Sequence, residues 1–215
     1  MATGTWRFYG EAVERIVTGA IDFTGTIKTA LLATGYTPNY GTHYQWSDVS
    51  AYDHSTSGTG YAAGGRTHST KVYEYVPASS AVNWSASQTW KVGDMVANAG
   101  DTAILQCVVG GAGGTGSEPS WNTTYYGQPT TDGSATWMYA GKGYVRYDED
   151  DDTWASSTIS AYYAVVYDAT NSLLIGNYTF DSPPISSDNG TFTVAHRAIP
   201  NGSGHGYIFA IPVWY

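Results

Sequence analysis

Five consecutive carboxylates, Asp148, Glu149, Asp150, Asp151 and Asp152, are the densest group of chemically capable side chains in this 215-residue chain. A cation site and a glycosidase acid pair are the two chemistries such a run invites. A calcium loop of the helix-loop-helix type needs oxygen ligands at alternating positions, a glycine at its sixth and a glutamate at its twelfth, and that spacing is absent. A glycosidase needs two carboxyls that converge across a cleft, whereas adjacent side chains on a strand or turn diverge. The run therefore reads as a solvated turn entering a strand, where charge also discourages edge-to-edge pairing. His43, His54, His68, His196 and His205 are dispersed, without the short spacings of metal ligands. His43, Asp48, Asp53 and His54 come nearest to a ligand set and read as a polar loop. The glycine-rich run at 110–116 lacks the Lys and Ser/Thr of a phosphate loop, and no G-x-S-x-G pattern marks a nucleophile elbow. The expectation is a non-enzyme with no catalytic residues, no metal and no cofactor.

The elements that carry these residues are mainly strands. Residues 6–21 place Phe8, Ala12, Ile16 and Ala20 at four-residue spacing, which predicts one short N-terminal helix. From residue 26 the period drops to two, with Ile27 and Leu31 on one face. Residues 42–66, rich in Gly, Ser, Tyr, His and Asp, read as a long surface excursion whose order depends on a partner. A strand follows at 67–76. The clearest alternation is 158–167, with Ile159, Ala161, Tyr163, Val165 and Tyr167 on one face. Strands at 173–180, 191–195 and 206–212 complete a set separated by turn clusters, the pattern of a sandwich or barrel. Between them, residues 82–141 differ in texture, with Trp84, Trp90, Trp121 and Trp137 around the glycine run. The expected architecture is all-β: a β-sandwich, jelly-roll or Ig-like, over 1–81 and 142–215, carrying a small inserted β module at 82–141.

Composition narrows the partners. Only 13% of residues are charged, while Tyr (19), Trp (8) and Gly (26) are abundant, so aromatic packing and backbone pairing must supply the stability. Aromatic residues along nearly the whole chain argue against disorder. The net charge is -9 and the nine Lys and Arg are scattered, which disfavours nucleic acid. Cys107 is alone and flanked by apolar residues, which suits a buried thiol in a reducing compartment. No apolar run approaches the roughly 18 residues of a membrane span, and the first residues lack a signal pattern. Neither export nor a membrane is expected, and the triplets at Asn83, Asn122, Asn177, Asn189 and Asn201 read as chance rather than glycosylation.

The segments outside 82–141 resemble a family of small tailed-bacteriophage virion proteins. The likeness is carried by Ile21-Asp22-Phe23, residues 26–32, Gly35-Tyr36-Thr37-Pro38, Gly58-Thr59-Gly60-Tyr61, Gly64-Gly65-Arg66, and the runs 154–158, 161–168, 173–181 and 190–194. The resemblance implies a particle component: a capsid decoration (cement) protein on the outer surface of the major capsid shell, assembled in the host bacterial cytoplasm. Its partners would be the major capsid protein and its own copies, as a homo-oligomer with a trimer preferred. The helix and the 42–66 excursion are the expected capsid contacts. The alternative is a tail or fibre component.

Residues 82–141 are similar to small chitin-binding-like carbohydrate modules, through an aromatic ahead of Val92-Gly93-Asp94, through Pro119-Ser120-Trp121, and through Asp132-Gly133 ahead of Trp137. The likeness implies surface carbohydrate as a partner, with Trp84, Trp90, Trp121, Tyr125 and Trp137 as carbohydrate-binding candidates and Tyr126 beside them. Against this stands the reading preferred for most of the tryptophans, that so small a module uses them as its core.

Overall fold

The computed structural model describes residues 4–54, 60–125, 127–196 and 208–213. The chain forms two compact units, Met1–Lys71 with Glu149–His196 (unit 1) and Val72–Asp148 with Arg197–Tyr215 (unit 2). Strands β1 (Gly4–Phe8), β2 (Ile27–Leu32) and β3 (Arg66–Thr67), with helix α1 (Ala12–Val17), belong to unit 1. Unit 2 follows with β4 (Val72–Pro77), β5 (Thr89–Trp90), β6 (Met95–Ala97), β7 (Ile104–Val109), β8 (Gly111–Ala112), β9 (Pro129–Asp132), β10 (Ala135–Tyr139) and β11 (Gly143–Asp148). Unit 1 resumes with β12 (Asp152–Ala161), β13 (Tyr163–Asp168), β14 (Leu173–Phe180) and β15 (Ile185–Val194), and β16 (Phe209–Val213) returns to unit 2. The named strands pair antiparallel throughout, and the fold is all-β and sandwich-like.

Unit 1 is a five-stranded sheet, β1-β14-β13-β2-β3, faced by the ribbon β12-β15. β13 is central, and Ala164, Val165 and Val166 are all fully buried, so both of its faces are covered. The ribbon alternates. Trp154, Ile159, Phe192 and Val194 are buried, with Trp154 against Phe192 and Phe192 against Phe180 of the large sheet. Its other face is lined with hydroxyls, which pair across the strands at Thr153–Thr193 and Ser160–Ser186. Burying each large apolar side chain contributes about 1.5–3 kcal/mol, so the inward row holds the ribbon in register.

Unit 2 contains a four-stranded sheet, β6-β7-β10-β9, a three-stranded sheet, β16-β11-β4, and the short pair β5-β8. Val76 of β4, Ala78 just after it and Tyr144 of β11 share one hydrophobic cluster with Met95, Ala97, Ile104 and Ala140. The expected boundaries at 81/82 and 141/142 therefore cut through a common core, and the compact units meet at 71/72 and 148/149 instead. Strands read as belonging to the flanking sandwich bury their apolar face with the tryptophan-rich segment.

Three local expectations change. The four-residue spacing over 6–21 yields only α1, because Trp6 and Phe8 lie on β1. There Trp6 packs over Gly176, where an added Cβ would sit 2.4 Å from the indole, and against Tyr178. Gly19, at φ +76°, follows the helix C-cap at Thr18 in the left-handed region. The alternation over 158–167 belongs to two strands: β12 ends at Ala161 in the ribbon and β13 begins at Tyr163 in the large sheet. Period two survives the change of sheet, so sequence alternation does not register it. The 42–66 excursion is anchored on unit 1 itself over its described residues. Trp46 stacks on Tyr167 at 4.4 Å, Asp48 accepts the Tyr44 and Gln45 amides, and Asp53 accepts the Tyr61 hydroxyl and the Gly64 amide.

Gly65 permits the closest backbone approach in this excursion. Its φ is +78°, and a Cβ there would lie 1.9 Å from the Thr29 carbonyl oxygen and 2.6 Å from Ala30 Cα. Both obstacles are backbone of a buried strand. Gly65→Ala is expected to destabilise unit 1 by at least about 2 kcal/mol, combining left-handed strain with displacement of β3 from β2, measurable by urea unfolding.

Candidate functional site

The convergence of ionisable groups in unit 1 is formed by residues that sequence spacing leaves apart. β12 begins with Asp152, whose side chain is fully buried. Its Oδ2 accepts from His196 Nε2 at 3.1 Å and lies 3.5 Å from His68 Nε2. Arg66 Nε is 3.8 Å from Oδ1, and Arg66 Nη1 donates to the Thr153 carbonyl. His68 Nε2 also meets the Thr29 hydroxyl of β2 at 2.7 Å. His196, just past β15, places Nδ1 2.9 Å from the Glu149 carbonyl oxygen, and its ring stacks on Tyr178 of β14. Strands from both layers thus meet on one carboxylate.

The neighbouring carboxylates serve backbone amides. Glu149 accepts from the Ser69 and Thr70 amides at 3.0 and 2.9 Å, and Asp151 accepts from the His196 amide at 2.9 Å. The solvated-turn expectation for 148–152 is therefore corrected. Asp148, Glu149 and Asp152 are buried, and only Asp150 and Asp151 are exposed. Burial of a carboxylate is tolerated when charged and backbone donors surround it, and a count of acidic residues cannot reveal those donors. Burial alone would raise the Asp152 pKa, but hydrogen bonding and charge from His196 and His68 outweigh it and hold the carboxyl well below its ordinary range. Burial likewise opposes charge on His196, while Asp152 and the Glu149 carbonyl raise its pKa above the ordinary imidazole value.

Chemically this cluster is closed. Asp152 joins two imidazoles, the bonds found around it run to strands, and the hydroxyl that meets His68, that of Thr29, is itself fully buried. No group of three or more His, Cys, Asp or Glu among the described residues is arranged to hold a metal ion. His43, Asp48, Asp53 and His54 separate: the His43 ring stacks on Tyr36, the two aspartates cap loop backbone, and His54 is buried edge-on to Tyr61. His205 lies outside the described residues.

The aromatic candidates in unit 2 form an edge-to-face chain. Trp90 meets Trp137 at 5.0 Å, Trp137 meets Trp121 at 5.9 Å, and Trp121 meets Trp84 at 6.3 Å. Trp90 and Trp137 are fully buried with Val96, Leu105, Cys107 and Ala135, which corrects their place among the sugar-stacking candidates. Their indole N–H groups have no hydrogen-bond partner among the described residues, a cost that aromatic burial offsets. Trp84 and Trp121 are half-buried against that core, and their indole nitrogens donate to Asp132 and Glu118. Tyr125 is 65% exposed, and Tyr126 lies outside the described residues. The surface candidates are thus Tyr125 and the outer parts of Trp84 and Trp121. Elsewhere in unit 2, a depression of ≈ 330 Å³ is lined by Pro77, Ala78, Ser79, Asp101, Thr102 and Lys142, without an aromatic ring.

No family model, curated protein or solved structure matches this chain. No described helix is long and apolar enough to cross a membrane.

Proposed function

We propose that this chain is a non-enzymatic structural protein of a tailed-bacteriophage particle, a decoration protein that binds the outer surface of the major capsid shell and stabilises it as a homo-oligomer. The observation that carries the non-enzymatic part is the closed cluster at Asp152. The side chains best equipped for acid–base chemistry, Asp152, His68 and His196, are buried and engaged in tying β12, β15, β2 and the segment after β3 together. Such a unit suits a rigid body that bridges neighbours. Its ribbon presents mainly hydroxyls, with Asp188 as its one exposed charge, and hydroxyl-lined strands can lie against a protein shell with little desolvation cost. The phage assignment rests on the resemblance carried by residues 21–23, 26–32, 35–38, 58–61, 64–66, 154–158, 161–168, 173–181 and 190–194.

A second reading is favoured by Tyr125, exposed in the same module as half-exposed Trp84 and Trp121. A tail or fibre component could use these rings to stack on host-surface carbohydrate. One experiment separates the two. Purified protein is mixed with particles that lack it and imaged by cryo-electron microscopy. Regular density over the shell is the expected result; density confined to the tail selects the second reading, and no added density overturns both.

A further inference from the structure

The chain passes between the two units three times, after Lys71, Asp148 and His196. The residues on the unit 1 side of all three crossings are bound to one another. At the first crossing, the Ser69 and Thr70 amides donate to the Glu149 carboxylate, and the Asp150 amide meets the Thr70 hydroxyl at 3.3 Å. At the third, the His196 amide donates to Asp151, and the His196 ring spans the Glu149 carbonyl and Asp152. His196 is thus the piece that joins the end of β15 to the start of β12.

Both ring nitrogens of His196 face acceptors. Nδ1 is 2.9 Å from a backbone carbonyl oxygen, which can only accept, and Nε2 is 3.1 Å from a carboxylate oxygen, which accepts when ionised. A neutral imidazole has one N–H, so it can satisfy one of the two; only the imidazolium donates to both. We propose that His196 is a pH-sensitive latch: as the imidazolium it ties the three crossing points of unit 1 together, and on losing one ring proton it releases the end of β15 from the start of β12.

The groups that face it favour this behaviour. From β12 and the residues before it come Asp152, Asp151 and the Glu149 carbonyl; from the segment after β3 comes His68, its ring 6.0 Å away. β14 contributes the face of Tyr178, and Arg66 of β3 lies beyond, on the other oxygen of Asp152. Negative and accepting groups touch His196 directly, while the arginine is spent on the far side of the carboxylate. The pKa of His196 is correspondingly raised. The latched form then holds one more proton than the released form between about pH 6.5, the ordinary imidazole value, and the raised pKa. Over that interval the released fraction climbs by up to about tenfold per pH unit, and below it the latch is insensitive to pH.

The test uses the full chain. Nitrogen-15 NMR of the histidine rings should show His196 keeping both nitrogens protonated beyond the ordinary imidazole midpoint of about pH 6.5, and a His196 ring already mainly neutral at about pH 6.5 overturns the proposal. Hydrogen exchange followed by mass spectrometry, corrected for intrinsic rates, should show segments 66–71, 149–152 and 192–196 losing protection together as pH rises from 6.5 to 9. Protection that does not change with pH overturns it. His196→Gln, with one side-chain amide in place of the ring, should leave these segments open at every pH with a flat response. The wild-type pH response persisting in the variant assigns the switch elsewhere and also overturns the proposal. The NMR result stands even where the variant fails to fold, and neither measurement involves assembly on a particle.

Discussion

Asp152→Asn is expected to cost unit 1 about 3–5 kcal/mol, a large share of a domain's total stability. The change is nearly isosteric, so packing is conserved and the loss is electrostatic. The carboxylate is fully buried and is approached by His196, His68 and Arg66. Without its charge, the Arg66 guanidinium and the His196 imidazolium lose their counter-ion at a position that is itself fully buried. A buried ion pair contributes little net stability compared with a well-packed apolar replacement, but removing one partner leaves the other uncompensated, and that is the larger effect. Urea unfolding followed by circular dichroism measures the difference. Asp152→Asn combined with His196→Gln should cost less than the sum of the two, because each single change already breaks the same bond. A loss under about 1 kcal/mol, in the range of an exposed ion pair, would contradict the account.

The pH dependence of that difference has a definite sign. Asp152 has a depressed folded-state pKa, so its contribution is present above the ordinary carboxylate value, about 3.9, and is lost only as pH falls through the depressed value. His196 has a raised folded-state pKa, so its contribution is complete below about pH 6.5 and is lost as pH rises through the raised value. Wild type should therefore exceed Asp152→Asn by the most between about pH 4 and 6.5. The difference should shrink on the alkaline side sooner than extrapolation from acid would suggest.

Trp137→Ala is expected to cost unit 2 about 3–5 kcal/mol, or to unfold its tryptophan core outright. Trp137 lies on β10, between β7 and β9, with Trp90 edge-on to one side and Trp121 to another. Alanine leaves an indole-sized void walled by the Trp90 and Trp121 rings and by the paired strands β7 and β10, so the site has little room to collapse. Near-ultraviolet circular dichroism, dominated by packed aromatics, should lose its fine structure together with the unfolding midpoint. Tyr125→Ala, at the exposed end of the same candidate set, should change stability by less than about 0.5 kcal/mol. Equal effects from the two substitutions would contradict the division into core and surface rings.

Which parts of this were legible in the sequence follows from the range over which each signal acts. The strand expected at 173–180 coincides with β14, and the segment that begins at residue 26 contains β2, because the composition of each segment records its own strand locally. The texture change near residue 83 was legible, but not the company that segment keeps. Val76 and Tyr144 look like any strand residues, and only their packing on Met95 and Ile104 assigns them to unit 2. The tryptophans could be read as platform or core from the same letters, since stacking and burial select the same side chain. Depth below the surface decided it.

By itself the sequence determined an all-β chain with little charge and aromatic packing, because period, turn residues and composition are local properties that each segment carries alone. The tertiary structure decided what the carboxylate run does. Asp152 and His196 are 44 residues apart in the chain and His68 is farther still, so no spacing rule connects them. The shifted pKa values of Asp152 and His196, the burial of all three and the latch at His196 depend on a desolvated site that exists only once β12 and β15 have packed on the five-stranded sheet.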